Sequence, residues 1–119
     1  MSAPMTAEPR LHRLRKIEIV IHAEDQRLVE DLLTAARVTG WTMIRDVAGM
    51  GHSGFHQGKS IFNDQSGLVM FVGVADPATV AEAARGLARL FASRPGVTFL
   101  SDVEVMRSDY FAGPASVRV

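Results

Sequence analysis

Leu68-Val69-Met70-Phe71-Val72-Gly73-Val74 decides the fold, because at the two-residue period of a strand it is apolar on both faces. Such a strand needs a cover on each side. Asp76 and Pro77 follow as a helix start, a carboxylate at the N-cap and a proline at the first helical position. Val80, Ala83, Ala84, Leu87, Leu90 and Phe91 then recur at the spacing of one helix face, and Pro95 and Gly96 end the run. Beyond them Val97, Phe99, Val103 and Val105 share one face of a last strand, while Thr98, Leu100, Asp102, Glu104 and Met106 make its other face mixed.

Upstream, Trp41 to Val47 is rich in β-formers and reads as a second strand. Before it, Leu28, Val29, Leu32, Leu33 and Ala36 keep to one helix face from Asp25 onward, with Gly40 standing where a left-handed C-terminal cap is wanted; the spacing predicts a helix of about four turns. Ile17, Ile19 and Ile21 alternate with Glu18, Val20 and His22, the mark of a first strand with one face on a core. The order is βαββαβ, an α+β, ferredoxin-like split unit with two helices on one face of a four-stranded antiparallel sheet. Its other face stays bare. Because the third strand is apolar there too, association through the sheet is the simple remedy.

Residues 16–107 form the predicted domain, with a loop over 48–67. Residues 1–15, with two prolines and a basic end at Arg10, His12, Arg13 and Arg15, predict a flexible N-terminal tail, and 108–119 a C-terminal one. Thirteen basic and thirteen acidic side chains cancel across the 119 residues, so no broad attraction for nucleic acid or an anionic membrane is expected. Without cysteine there is no disulfide or thiolate metal site, which fits a reducing cytosol. The apolar runs fall far short of the roughly 20 residues of a spanning helix, and a cytoplasmic protein is expected.

The loop is the anomaly. Antiparallel neighbours are joined by as few as two to five residues, and connections beyond about 12 to 15 are usually functional or disordered. Gly49, Gly51, Gly54, Gly58 and Gly67 punctuate this one. Glycine lets backbone amides approach an anion, so Gly49, Met50, Gly51, His52, Ser53 and Gly54 suit a phosphate-cradling nest. A loop that binds nothing has the same composition.

Lys16-Ile17-Glu18 in the first strand, Thr39-Gly40-Trp41-Thr42 after the first helix, and Gly49-Met50-Gly51 opening the loop resemble the start of a PII signal-transduction protein. Val74-Ala75-Asp76 and Asp102-Val103 extend the likeness to Arg107. The resemblance implies a homotrimer with three clefts between subunits, each taking ATP, ADP or a related adenine nucleotide, and a loop that contacts a protein target. It puts Gly49-Met50-Gly51 against the phosphates, Thr42 on the strand lining the cleft, Pro95 and Gly96 in the turn closing over the nucleotide, and Arg107 reaching in from the neighbouring subunit.

The departures count as well. Ordinary members carry a phosphate-binding lysine in a glycine-rich turn before the last strand; here Val97 follows Gly96, and Arg94 alone supplies a charge. The loop has Phe55 and Phe62 but no tyrosine for nucleotidylation. These features resemble the PII-like proteins linked with inorganic-carbon uptake and carboxysomes, implying ADP, AMP or cyclic AMP rather than ATP and making bicarbonate a second candidate ligand near Arg45, His52 and Ser53. Lys59, Ile61 and Phe62 are the candidate contacts for a target, a membrane transporter or an enzyme.

His52 and His56 have the four-residue spacing of two ligands on a helix, but Gly54 between them argues against a helix and no metal is expected. Arg107 suits a forked phosphate contact, or else an ion pair with Asp109 or Asp102. Arg85, Arg89 and Arg94 read as the solvated side of the second helix. No nucleophile-histidine-acid motif or phosphate-binding loop ending in glycine, lysine and serine is present, so a non-enzymatic regulator is expected. Two rivals stand beside this reading: a metal-binding trimer like the divalent-cation tolerance proteins, which share the strand order, and an ACT-like small-molecule module or simple oligomerisation module.

Overall fold

The computed structural model describes residues 9–49 and 67–107. In chain order the elements are β1 (His12–His22), a single 3-10 turn (Ala23–Asp25), α1 (Gln26–Ala35), β2 (Trp41–Val47), β3 (Leu68–Ala75), α2 (Pro77–Leu90) and β4 (Gly96–Val105). The strands lie in the order β2-β3-β1-β4 with every neighbouring pair antiparallel. This is the expected ferredoxin-like βαββαβ arrangement.

Register shows which side chains share a face. Ile17 lies between Gly73 and Leu100, Ile19 between Phe71 and Thr98, and Ile21 between Val69 and Gly96. Ile17, Ile19, Ile21, Val69, Phe71 and Ala75 are buried with Val29 and Leu33 of α1 and with Val80, Ala83 and Leu87 of α2. Both helices therefore cover one side of the sheet. Trp41 closes this layer at the β2 edge, its ring meeting Phe71 edge-on at 6.4 Å. Asp76 starts α2 as the sequence predicts, accepting a hydrogen bond from the Thr79 N–H at 2.8 Å, with Pro77 next in line.

Four local readings need correction. The first strand begins at His12 rather than near Lys16, because the ten residues of β4 need a partner along their whole length: Leu14 pairs with Val103, and Arg15 bonds Asp102 at 2.8 Å. α1 has ten residues, a little under three turns, and is capped at Arg37 and not at Gly40. Arg37 takes φ 71°, its N–H donates to Thr34 O, and the Val38 N–H donates to Leu33 O. That is the Schellman arrangement, and burial of Val38 against the core sets its position. Leu28, expected on the inward stripe, is instead 40% exposed. Arg94 lies past α2, in the turn before β4, and not on the helix's solvated side.

Near the end of β2 the pairing slips. Ile44 faces Met70 but Val47 faces Leu68, so Arg45 and Asp46 together oppose Val69, and Asp46 takes φ 59°. The bulge moves Val47 to the side of the sheet away from the helices.

Candidate functional site

The candidate site is the end of the sheet where β2 leaves at Val47 and β3 enters at Leu68, next to the last residue of β1, His22. β4 begins at the same end, with Gly96 opposite Ile21. The roots of the long connection, Gly49 and Gly67, thus share one rim with the Ala23–Asp25 turn and with the turn of Phe91 to Pro95. Two bonds join these pieces. The Ala23 N–H donates to Gly67 O at 2.7 Å, and Arg94 Nη1 donates to Asp25 Oδ1 at 2.6 Å. Asp25 is 2% exposed, a buried carboxylate, while the Arg94 side chain is 46% exposed.

Gly96 has a packing reason to be glycine. A methyl group there would lie 2.3 Å from Phe91 Cε1 and 2.6 Å from Cζ, so the Phe91 ring occupies the space a Cβ needs.

Of the residues expected to hold a nucleotide, Arg94, Pro95, Gly96 and Gly49 reach this rim, as does Arg45 in the bulge. They stand on opposite edges. β2 and β4 are separated by β3 and β1, three strand spacings or about 14 Å. Arg107 follows the far end of β4, about 30 Å along the strand from Gly96. Thr42 is exposed on β2 opposite Val72. A single chain therefore does not gather these residues into one cleft. Met50, Gly51, His52, Ser53, Gly54, Lys59, Ile61 and Phe62 lie outside the described residues, as do 1–8 and 108–119.

The sheet's second face bears on how such a site is completed. Leu14 and Val20 of β1, Ile44 of β2, Leu68, Met70, Val72 and Val74 of β3, and Val97, Phe99, Val103 and Val105 of β4 are on it by register. No described helix covers it. Phe99 is 57% exposed, Val97 49% and Ile44 45%. Amid these side chains Lys16 Nζ meets Glu18 Oε2 at 3.6 Å. Among the described residues no group of three or more His, Asp and Glu side chains comes together as a cation site, and no helix is long and apolar enough to cross a membrane.

Asp25 is the residue that the sequence reading missed. It reads there as the start of a helix, and its partner is 69 positions away with no local pattern linking the two.

Residues 14–110 match the model of the nitrogen regulatory protein P-II family. The chain belongs to that family. Within it, the fold is similar to CPII, a nitrogen regulatory PII-like protein from Thiomonas intermedia K12 whose structure holds ADP, AMP and bicarbonate, with 27% identity, 89% of this chain and 100% of that one covered, and a TM-score of 0.78. The same protein bound to ADP and bicarbonate superposes with a TM-score of 0.76 at 27% identity, over 87% of this chain and 99% of that one. A PII-like signalling protein of Thermus thermophilus shares the fold at 14% identity and a TM-score of 0.64, with 85% of this chain and 97% of that one covered. A search of curated proteins gives no match. The P-II assignment accounts for the strand order, the pair of helices on one face and the long β2–β3 connection together.

Proposed function

We propose that this P-II family protein is a non-enzymatic signalling protein that binds ADP or AMP in preference to ATP, at clefts between copies of itself, with bicarbonate as a second ligand. The observation that carries the reading is the likeness to CPII over 89% of this chain, CPII being a protein whose structure contains ADP, AMP and bicarbonate. The geometry supports it in two ways. Arg45 and Gly49 stand on the β2 edge, Arg94 to Gly96 on the β4 edge, and Arg107 at the other end of β4, so only a neighbouring copy can bring all of them to one ligand. The bare apolar sheet face supplies the driving force for that association, with each large side chain worth about 1.5–3 kcal/mol when fully buried. A homotrimer is the assembly we infer.

In this reading Gly49, with Met50 to Gly54 beyond it, offers amides to the phosphates, and Arg107 makes a forked contact from the neighbouring protomer. Arg45, His52 and Ser53 hold the small anion. The long loop, through Lys59, Ile61 and Phe62, contacts a protein target whose activity then follows nucleotide occupancy. Control of inorganic-carbon uptake is the physiological setting proposed.

Titration calorimetry of ADP into the protein, with and without bicarbonate at fixed pH, tests the ligands. ADP is expected to bind, and bicarbonate is expected to change its affinity, because coupling between two sites is reciprocal. Absence of ADP binding sinks the reading as a whole; an ADP affinity indifferent to bicarbonate removes the second ligand.

A further inference from the structure

Asp25 and Arg94 invite the question of what a buried carboxylate is doing at the rim of the sheet. As a mere brace between two turns it is a poor choice, since a buried ion pair commonly stabilises no better than apolar side chains of the same volume. The pair is also lopsided: the carboxylate is 3% exposed and the guanidinium 46%. Asp25 is thus the fixed member, held inside the fold, and Arg94 extends from it toward solvent. A guanidinium has five N–H donors in a planar fork. Among the described residues the only side-chain partner of Arg94 is Asp25, on Nη1, and with the side chain 46% exposed the guanidinium keeps donors to offer a ligand.

We propose that Asp25 is a positioning residue for a phosphate-bearing ligand, holding Arg94 so that its outward donors meet the anion, and that the Ala23–Asp25 turn transmits the contact to the root of the long loop. The second step has its own bond. The Ala23 N–H, two residues before Asp25, donates to Gly67 O at 2.7 Å, where the loop re-enters β3. Arg94, Asp25, Ala23 and Gly67 therefore form one continuous connection from the α2–β4 turn to the loop. The inference rests on the nucleotide-binding reading above and deepens it, because it names the route by which occupancy reaches the loop.

The test is ADP titration of the wild type, Asp25→Asn, Arg94→Gln, the double variant and Arg94→Lys, with thermal melts of each and amide hydrogen exchange at Ala23. Arg94→Gln is expected to weaken ADP by about tenfold or more, as loss of a charge-assisted contact does. Asp25→Asn is expected to weaken it severalfold, and to have no further effect on affinity in the Arg94→Gln background. Arg94→Lys keeps an ion pair without the fork, so it should preserve the melting temperature and still lose affinity. ADP should slow exchange at Ala23 in the wild type and not in Arg94→Gln.

A brace gives a different pattern: lower melting temperatures with unchanged ADP affinity, and that result overturns the proposal. So does an Asp25→Asn loss that persists undiminished in the Arg94→Gln background. If Asp25→Asn does not fold, the Arg94→Lys and Arg94→Gln affinities decide alone. A wild type that ignores ADP brings down the nucleotide reading and this inference with it, whereas a wild type that binds ADP with Arg94 variants of equal affinity brings down this inference only.

Discussion

Gly96→Ala isolates a single contact whose size can be worked out in advance. The added methyl would lie 2.3, 2.6 and 2.9 Å from Phe91 Cε1, Cζ and Cδ1. Carbon atoms settle at about 3.5–4.0 Å, so the ring must retreat by more than about 1 Å or the first residue of β4 must leave its pairing with Ile21. Phe91 is the C-cap of α2 and packs against the core, so its retreat disturbs both. Overpacking of this kind costs about 1–3 kcal/mol, offset by about 0.4–1 kcal/mol from the smaller conformational freedom of unfolded alanine. The expected net destabilisation is about 1–2 kcal/mol. Urea unfolding at fixed protein concentration measures it, and Phe91→Leu in the same background should recover part of the loss, a coupling that a double-mutant cycle reads directly. If Gly96→Ala unfolds at the wild-type midpoint, or if the two substitutions simply add, the steric account is wrong. The result also bears on function, because it separates what the turn before β4 needs for packing from what it contributes to a ligand.

Three further outcomes are expected. Phe99→Glu puts a carboxylate on the bare sheet face, where Phe99 is 57% exposed in the single chain, and should convert the proposed trimer to protomers in sedimentation while leaving the helix-covered core intact; an unchanged sedimentation coefficient counts against the face as an interface. Arg37→Gly keeps the left-handed conformation but removes its cost to an L-residue, about 1–2 kcal/mol, less the added freedom of unfolded glycine, so the urea midpoint should rise by up to about 1 kcal/mol equivalent with an unchanged slope. The hydrogen bond from Arg85 Nη2 at 2.7 Å, with the guanidinium's charge, holds the Glu82 carboxyl below the ordinary glutamate range. A lowered folded-state value means that any stabilisation is present above the unfolded pKa and lost as pH falls through the folded one. Carboxyl carbon shifts followed by NMR should show the depressed titration, and Arg85→Gln should bring it back toward the ordinary range, with the weaker pull of Arg89 remaining.

The strand and helix order was legible because each element carries a period that its packing enforces. Ile17, Ile19 and Ile21 face the helices, and Leu68 to Val74 is apolar on both sides because one side meets the helices and the other is the bare face. Boundaries were less legible, for a physical reason. Gly40 has the conformational freedom of a cap, yet burial of Val38 ends the helix earlier and pushes an arginine into the left-handed region. The β2 bulge leaves no mark in Arg45 or Asp46, since either residue fits a regular strand until register with β3 is known.

Legibility of the site follows from where its parts lie. Arg94 and Arg107 are conspicuous as basic residues flanking a strand, and resemblance to the P-II family gave them roles; what each touches within the chain depends on contacts far apart in sequence. Asp102, one candidate partner for Arg107, is bonded to Arg15. Asp25 pairs with Arg94 across α1, β2, β3 and α2, so no local spacing can announce it. A cleft that needs residues from both edges of a sheet, about 14 Å apart, cannot be assembled by one copy of that sheet without curling it shut, and β2 and β4 remain separate edges here. In the proposed assembly, copies that meet through the bare apolar face bring one protomer's β2 edge near another's β4. In the proposed function self-association completes the site, so a substitution that breaks it should abolish ADP binding in titration calorimetry even where every proposed contact residue is intact; retained ADP binding by a protomer would refute the shared cleft.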